Sequence, residues 1–116
     1  MRHHNKNRKF GRVRKVRKAF IRSLAENFII HGKIKTTEAR AKELRKFVEP
    51  IITQAKSSTL SSTRLIRSRL GGAVRVHKVI KEIGKKYAER NGGYTRIMKL
   101  PPRKSDGSRM AVIEFV

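Results

Sequence analysis

The amino-acid sequence predicts an α+β fold, and three observations carry the prediction. Apolar residues recur at three- and four-residue steps in several stretches up to Tyr87, the spacing of helices with one apolar stripe. Two stretches near the end, residues 94–100 and 110–116, read instead as short strands separated by a loop. A brief alternating segment, Lys33-Ile34-Lys35-Thr36, follows a glycine and reads as a third strand. The expected architecture is a basic N-terminal arm and helix, with further helices packed on one face of a small, about three-stranded mixed sheet that includes a C-terminal hairpin. At 116 residues the chain is expected to be a single domain, residues 1–11 a basic extension and residues 12–116 the α+β body.

Taken in order, Met1 to Gly11 offers only Phe10 to bury, so in isolation it is expected to lack a fold. From Arg12 the pattern changes: Val13, Val16, Phe20, Leu24 and Phe28 form one stripe of a helix that should run to Ile30 and stop at Gly32. Thr36 or Thr37 then caps a second helix, with Glu38 at its positive dipole end. Ala41, Leu44, Val48, Ile51 and Ala55 make its seam, and Pro50 should kink or split it. Lys56 to Ser62 is polar and reads as a connection, followed by a short basic helix from Thr63 to Leu70 ended by Gly71-Gly72. A further helix places Val76, Ile80, Ile83 and Tyr87 on one side, and Asn91-Gly92-Gly93 breaks it. The loop from Pro101 to Arg109 is longer than common hairpin turns and carries Arg103, Lys104 and Arg109.

Charge narrows the function. The first 25 residues hold ten Lys or Arg (Arg2, Lys6, Arg8, Lys9, Arg12, Arg14, Lys15, Arg17, Lys18, Arg22) and no Asp or Glu. Ten like charges repel and resist burial, so a polyanion must supply the counter-charge, and nucleic acid is the usual one. The whole chain agrees, since 31 Lys plus Arg against 8 Asp plus Glu give +23, beyond what solubility requires. Lys42, Arg45 and Lys46 are different, because they alternate with Glu38, Glu43 and Glu49 at salt-bridging intervals and read as a solvated face. Between Arg2 and Arg22 nothing nearby in the sequence can pair.

Other classes fare worse. There is no cysteine for disulfides or thiolate metal sites. Apolar runs such as Phe28-Ile29-Ile30 are far too short to cross a bilayer, and no secretory leader is visible, so a cytoplasmic protein is expected. The apolar stripe of the basic helix is needed for the core, and basic clusters occur on several elements, which argues against a membrane partner. His3-His4 lack further ligands at zinc-site spacing, so no metal is expected and His3 reads as a nucleotide contact. No nucleophile elbow or paired carboxylates appear, so neither an enzyme, a cofactor nor a small-molecule substrate is expected. Asn91-Gly92-Gly93 follows a helix and precedes a strand, the reverse of phosphate-binding loops, so a helix cap and turn is the default. The seven aromatics fall mostly on apolar seams, which leaves base-stacking platforms unsupported. What remains is recognition of RNA backbone and shape by many cations. The rival is a nucleoid-type or regulatory DNA-binding protein, although no DNA-reading motif is present.

Long co-linear stretches then point further. Met1-Arg2-His3, Arg8-Lys9-Phe10-Gly11-Arg12, the run from Lys33 to Arg45, Tyr87-Ala88, the run from Arg90 to Ile97, Lys99-Leu100, Met110-Ala111 and Ile113-Glu114 together resemble the bacterial-type large-subunit ribosomal protein seventeen family. The resemblance covers essentially the whole chain, with Phe10 where that family's pattern has Leu and Val16 where it often has His. It implies a structural constituent of the large ribosomal subunit, binding large-subunit rRNA and neighbouring ribosomal proteins and supporting assembly. Carried over to the matching positions, Arg2, Arg8, Lys9, Arg12, Arg17 and Arg22 are the foremost candidates for rRNA contact, and Lys35, Arg90 and Arg96 follow.

Overall fold

The computed structural model describes His3, His4 and residues 6–116, with only the backbone of residues 73–75. Helix α1 (Arg14–His31) ends where Gly32 takes the left-handed conformation, φ 75°, and returns its N–H to the Phe28 carbonyl. Strand β1 (Lys33–Thr37) follows directly. The Thr37 side chain accepts the Arg40 N–H and so caps α2 (Glu38–Ala55). Helix α3 (Leu60–Leu70) begins three residues before the expected start, because Thr59 accepts the Ser62 N–H and supplies the cap.

Pro50 does not split α2, which runs unbroken from Glu38 to Ala55. A proline leaves the carbonyl four residues back without its donor, here that of Lys46, and Lys46 is exposed, so water can satisfy it. On the opposite side Ala41, Leu44, Val48, Ile51, Ile52 and Ala55 are all essentially inaccessible. Their burial, at about 1.5–3 kcal/mol for each large aliphatic side chain, outweighs the roughly 3 kcal/mol that an interior proline costs.

The expected fourth helix is interrupted. After α4 (Ala73–Lys78), residues Val79–Ile83 form a π-helical turn closed by the Gly84 N–H on the Val79 carbonyl, and a short α5 (Gly84–Lys86) follows. Gly84 lies against α2 so closely that a Cβ there would stand 2.9 Å from the Ala55 carbonyl oxygen. The wide turn thus brings a side-chain-free residue onto the end of α2 while Val79 and Ile83 face the core.

Strands β2 (Thr95–Leu100) and β3 (Met110–Phe115) form the hairpin, and the sheet order is β1-β3-β2. Both pairings are antiparallel, so the sheet is not mixed as expected: β3 pairs with β1 (Ile34 opposite Ile113) and with β2 (Ile97 opposite Ile113). β3, lying between β1 and β2, runs opposite to both. The core lies between this sheet and the helices, built on Phe28, Leu44, Ile51, Ile66, Tyr94 and Ile113. Two polar ties fix helix to sheet: Glu49 accepts from the Thr95 N–H and hydroxyl, and the Tyr87 hydroxyl donates to the Val116 carbonyl at 2.7 Å.

Candidate nucleic-acid interface

The expected stripe on α1 is only half used by the core. Phe28 is buried and Phe20 and Leu24 half-buried, but Val13 and Val16 are 71% and 50% exposed. The first turns of α1 therefore stand clear of the body, and Arg14, Lys15 and Lys18 are exposed on them. With Lys6 and Lys9 of the arm, these side chains make no ion pair or hydrogen bond among the described residues. Five cations without internal partners occupy one segment of the molecule.

The arm itself is anchored. Phe10, at φ 54°, and Gly11, at φ 64°, turn the chain, and the Phe10 ring meets Phe20 edge-on at 5.5 Å. The Arg12 guanidinium lies 4.3 Å from the Phe20 ring centre and donates to the Phe10 carbonyl, while Arg17 donates to the Arg12 carbonyl. Arg8 donates to Glu43 of α2 at 2.8 Å. The counter-charge of Arg8 is thus distant in sequence and adjacent in space, beyond the reach of a search among sequence neighbours. Arg22 is likewise engaged, donating from Nε and Nη2 to the Arg69 and Ser68 carbonyls at the end of α3. Arg2 lies outside the described residues, and His3 is exposed.

The remaining candidates divide. Lys35 is exposed on β1 across from Val112 and has no described partner. Arg90 closes the Asn91-Gly92-Gly93 turn by donating to both glycine carbonyls, and Lys56 donates to the Arg90 carbonyl at 2.6 Å. Arg96 pairs with Glu114 across the strands at 2.8 Å. In the hairpin loop Arg103 grips Asp106 through two bonds, and the Ser108 N–H adds a third, which holds the Asp106 carboxyl well below the usual carboxylate range. Lys104 and Arg109 stay exposed.

Acidic groups are mostly consumed internally. Glu38 pairs with Lys42 at 2.9 Å, and this bond, with Lys99 and Arg109 nearby, lowers its carboxyl below the ordinary value. Glu43 takes Arg8 and Lys46, but Glu49 goes to Thr95 rather than to a neighbouring cation. Sequence reasoning missed the placement of Lys46 and Arg69 beside the arm and α1, where they join Arg17, Lys18 and Arg22 around one groove. No local signal marks this, because it arises from long-range packing of α2 and α3 on α1. Among the described residues no cluster of His, Asp or Glu is fit to hold a metal, and no helix is long and apolar enough to cross a membrane.

The sequence model of the family described as Ribosomal protein L17 matches residues 20–116. The chain belongs to the ribosomal protein L17 family. Named relatives agree. A large ribosomal subunit protein bL17 from Clostridium botulinum is 48% identical over 109 residues, covering 94% of this chain and 96% of its own length. One of the same name from Nautilia profundicola is 47% identical over the whole of this chain and 98% of its own. A third, from Chlorobium phaeobacteroides, is 45% identical over 94% of this chain but 66% of its own length. A ribosomal protein L17 is a structural component of the ribosome and not an enzyme. The family match begins at Phe20, so α1 joins the matched body where its stripe begins to be buried.

Proposed function

We propose that this chain is a structural constituent of the large ribosomal subunit that binds large-subunit rRNA through the phosphate backbone and supports its assembly, in the cytoplasm. One observation supports this most: Lys6, Lys9, Arg14, Lys15 and Lys18 share an exposed segment and have no internal partner among the described residues. Phosphates would supply their counter-charge, and the release of condensed counterions would drive binding. Arg8, Arg12, Arg17 and Arg22 have a double task in this reading. Each spends one face on an internal carbonyl or carboxylate, and the guanidinium fork has further N–H groups for a phosphate. Lys35, Arg90 and Arg96 would contribute from the sheet side, and the less basic flank of α2 suits neighbouring ribosomal proteins. Phe10 and Arg8 tether the arm to the body, and rRNA would order the rest of residues 1–11 along its backbone.

The test is salt dependence of binding to purified large-subunit rRNA. Five neutralised phosphates give a slope of log affinity against log salt of roughly −4, steeper if the engaged arginines also participate. A slope near zero would remove the electrostatic mechanism. Equal affinity for duplex DNA of the same length would favour the DNA-binding alternative.

A further inference from the structure

We infer that the groove bounded by the arm, α1, α2 and the end of α3 is a pocket for one unstacked base of RNA. The inference rests on the reading that this face meets RNA and goes beyond it, because backbone contact alone requires no pocket. The groove has a volume of about 490 Å³, within the range of cavities that enclose small ligands. Its apolar walls are Phe10, Ile21 and Phe47, all half-buried, so each presents some surface to the groove. Phe10 is held from behind by the edge-on contact with Phe20 and by the bond from Arg12 to its carbonyl. The wall is thus positioned before any ligand arrives.

The lining chooses between occupants. Arg17, Lys18 and Arg22 border the groove, which suits phosphates at its mouth. Glu43 lines it too, with a side chain only 13% exposed, and its Oε1 accepts from both Arg8 at 2.8 Å and Lys46 at 3.2 Å. The lining as a whole is cationic, with Arg8, Arg17, Lys18, Arg22, Lys46 and Arg69 around that one paired carboxylate, and charge alone would suit a bare phosphate equally well. A base edge, however, carries N–H donors that Oε2 can accept, and a base has a flat π-face to lay against phenyl rings. Two phenyl rings, one carboxylate acceptor and several cations around the same groove match a nucleotide whose base lies on the rings while its phosphates stay with the cations. The aromatics set aside earlier as seam residues therefore include one, Phe47, that serves the core and the groove together.

The decisive experiment irradiates the full-length protein bound to purified large-subunit rRNA with ultraviolet light and maps nucleotide adducts on tryptic peptides. The expected result is an adduct on the peptide from Phe47 to Lys56 or at Phe10. Phe47→Leu keeps an apolar wall but loses the ring; it should lose the adduct on the 47–56 peptide and weaken binding about tenfold, with the salt slope unchanged. Wild-type affinity in that variant, or saturating rRNA with no adduct at either phenylalanine, would overturn the pocket while leaving the backbone-contact reading in place. Failure of the wild-type protein to bind rRNA would overturn both.

Discussion

Replacing Arg22 by Gln should lower the melting temperature of the free protein before any RNA is added. The Arg22 side chain donates to the Arg69 carbonyl at 2.8 Å and to the Ser68 carbonyl at 3.1 Å, tying α1 to the end of α3 across 47 positions of sequence. Each such bond contributes about 0.5–1.5 kcal/mol net, and a cation at a helix C-terminus about 0.3–1 kcal/mol more. Both carbonyls are exposed, which places each contribution near the lower end, for a total of about 1–2 kcal/mol. For a chain of this size that corresponds to a fall of roughly 4–8 °C. Thermal unfolding followed by circular dichroism measures it, at low and at high salt. Most of the drop should persist in high salt, because bonds to neutral carbonyls are screened far less than contacts between charges. Lys15→Gln is the matched control: with no described partner for Lys15, it should leave the melting temperature unchanged and reduce the salt slope of rRNA binding by about 0.7–0.9. If Arg22→Gln melted within about a degree of wild type while losing rRNA affinity tenfold, the assignment of Arg22 to the α1–α3 joint would be wrong.

Two further perturbations probe the body. Leu44→Ala opens a cavity at a residue with no exposed surface and should cost about 2–5 kcal/mol in denaturant unfolding; a loss below 1 kcal/mol would mean the α2 seam is not packed as described. Glu38 has its carboxyl held below the ordinary value chiefly by Lys42, so its stabilisation is full above the normal carboxylate range and is lost as pH falls through the lowered one. Glu38→Gln should therefore flatten the acid limb of a melting-temperature profile between about pH 5 and pH 2, and an unchanged acid limb would count against the Lys42 pairing.

The sequence disclosed whatever is decided within a turn or two of the chain. Gly32 and Thr37 act at the helix ends as their chemistry dictates, and every residue of the five-member α2 seam is buried. The two hairpin strands and β1 fall within a residue of expectation. What escaped depends on partners far away. Pro50 is tolerated because packing on the opposite face of α2 outweighs it. The π-helical turn follows from the approach of Gly84 to Ala55, and the bond between Arg8 and Glu43 spans 35 positions. The candidate interface shows the same division. The cationic segment is plain from composition, but which of its members face outward and which are spent indoors is settled only by three-dimensional packing.

The strand order bears on how the polypeptide comes together as it is made. Because β3 lies between β1 and β2 yet follows both in the chain, neither flanking strand has a ladder partner until the last element has been synthesised. The helical segments can associate earlier, with Ile34 and Ile97 waiting beside them for Ile113. A nascent product halted before Met110 would hold unpaired strands and an unclosed apolar floor, a species prone to clumping, whereas a few more residues complete both ladders at once.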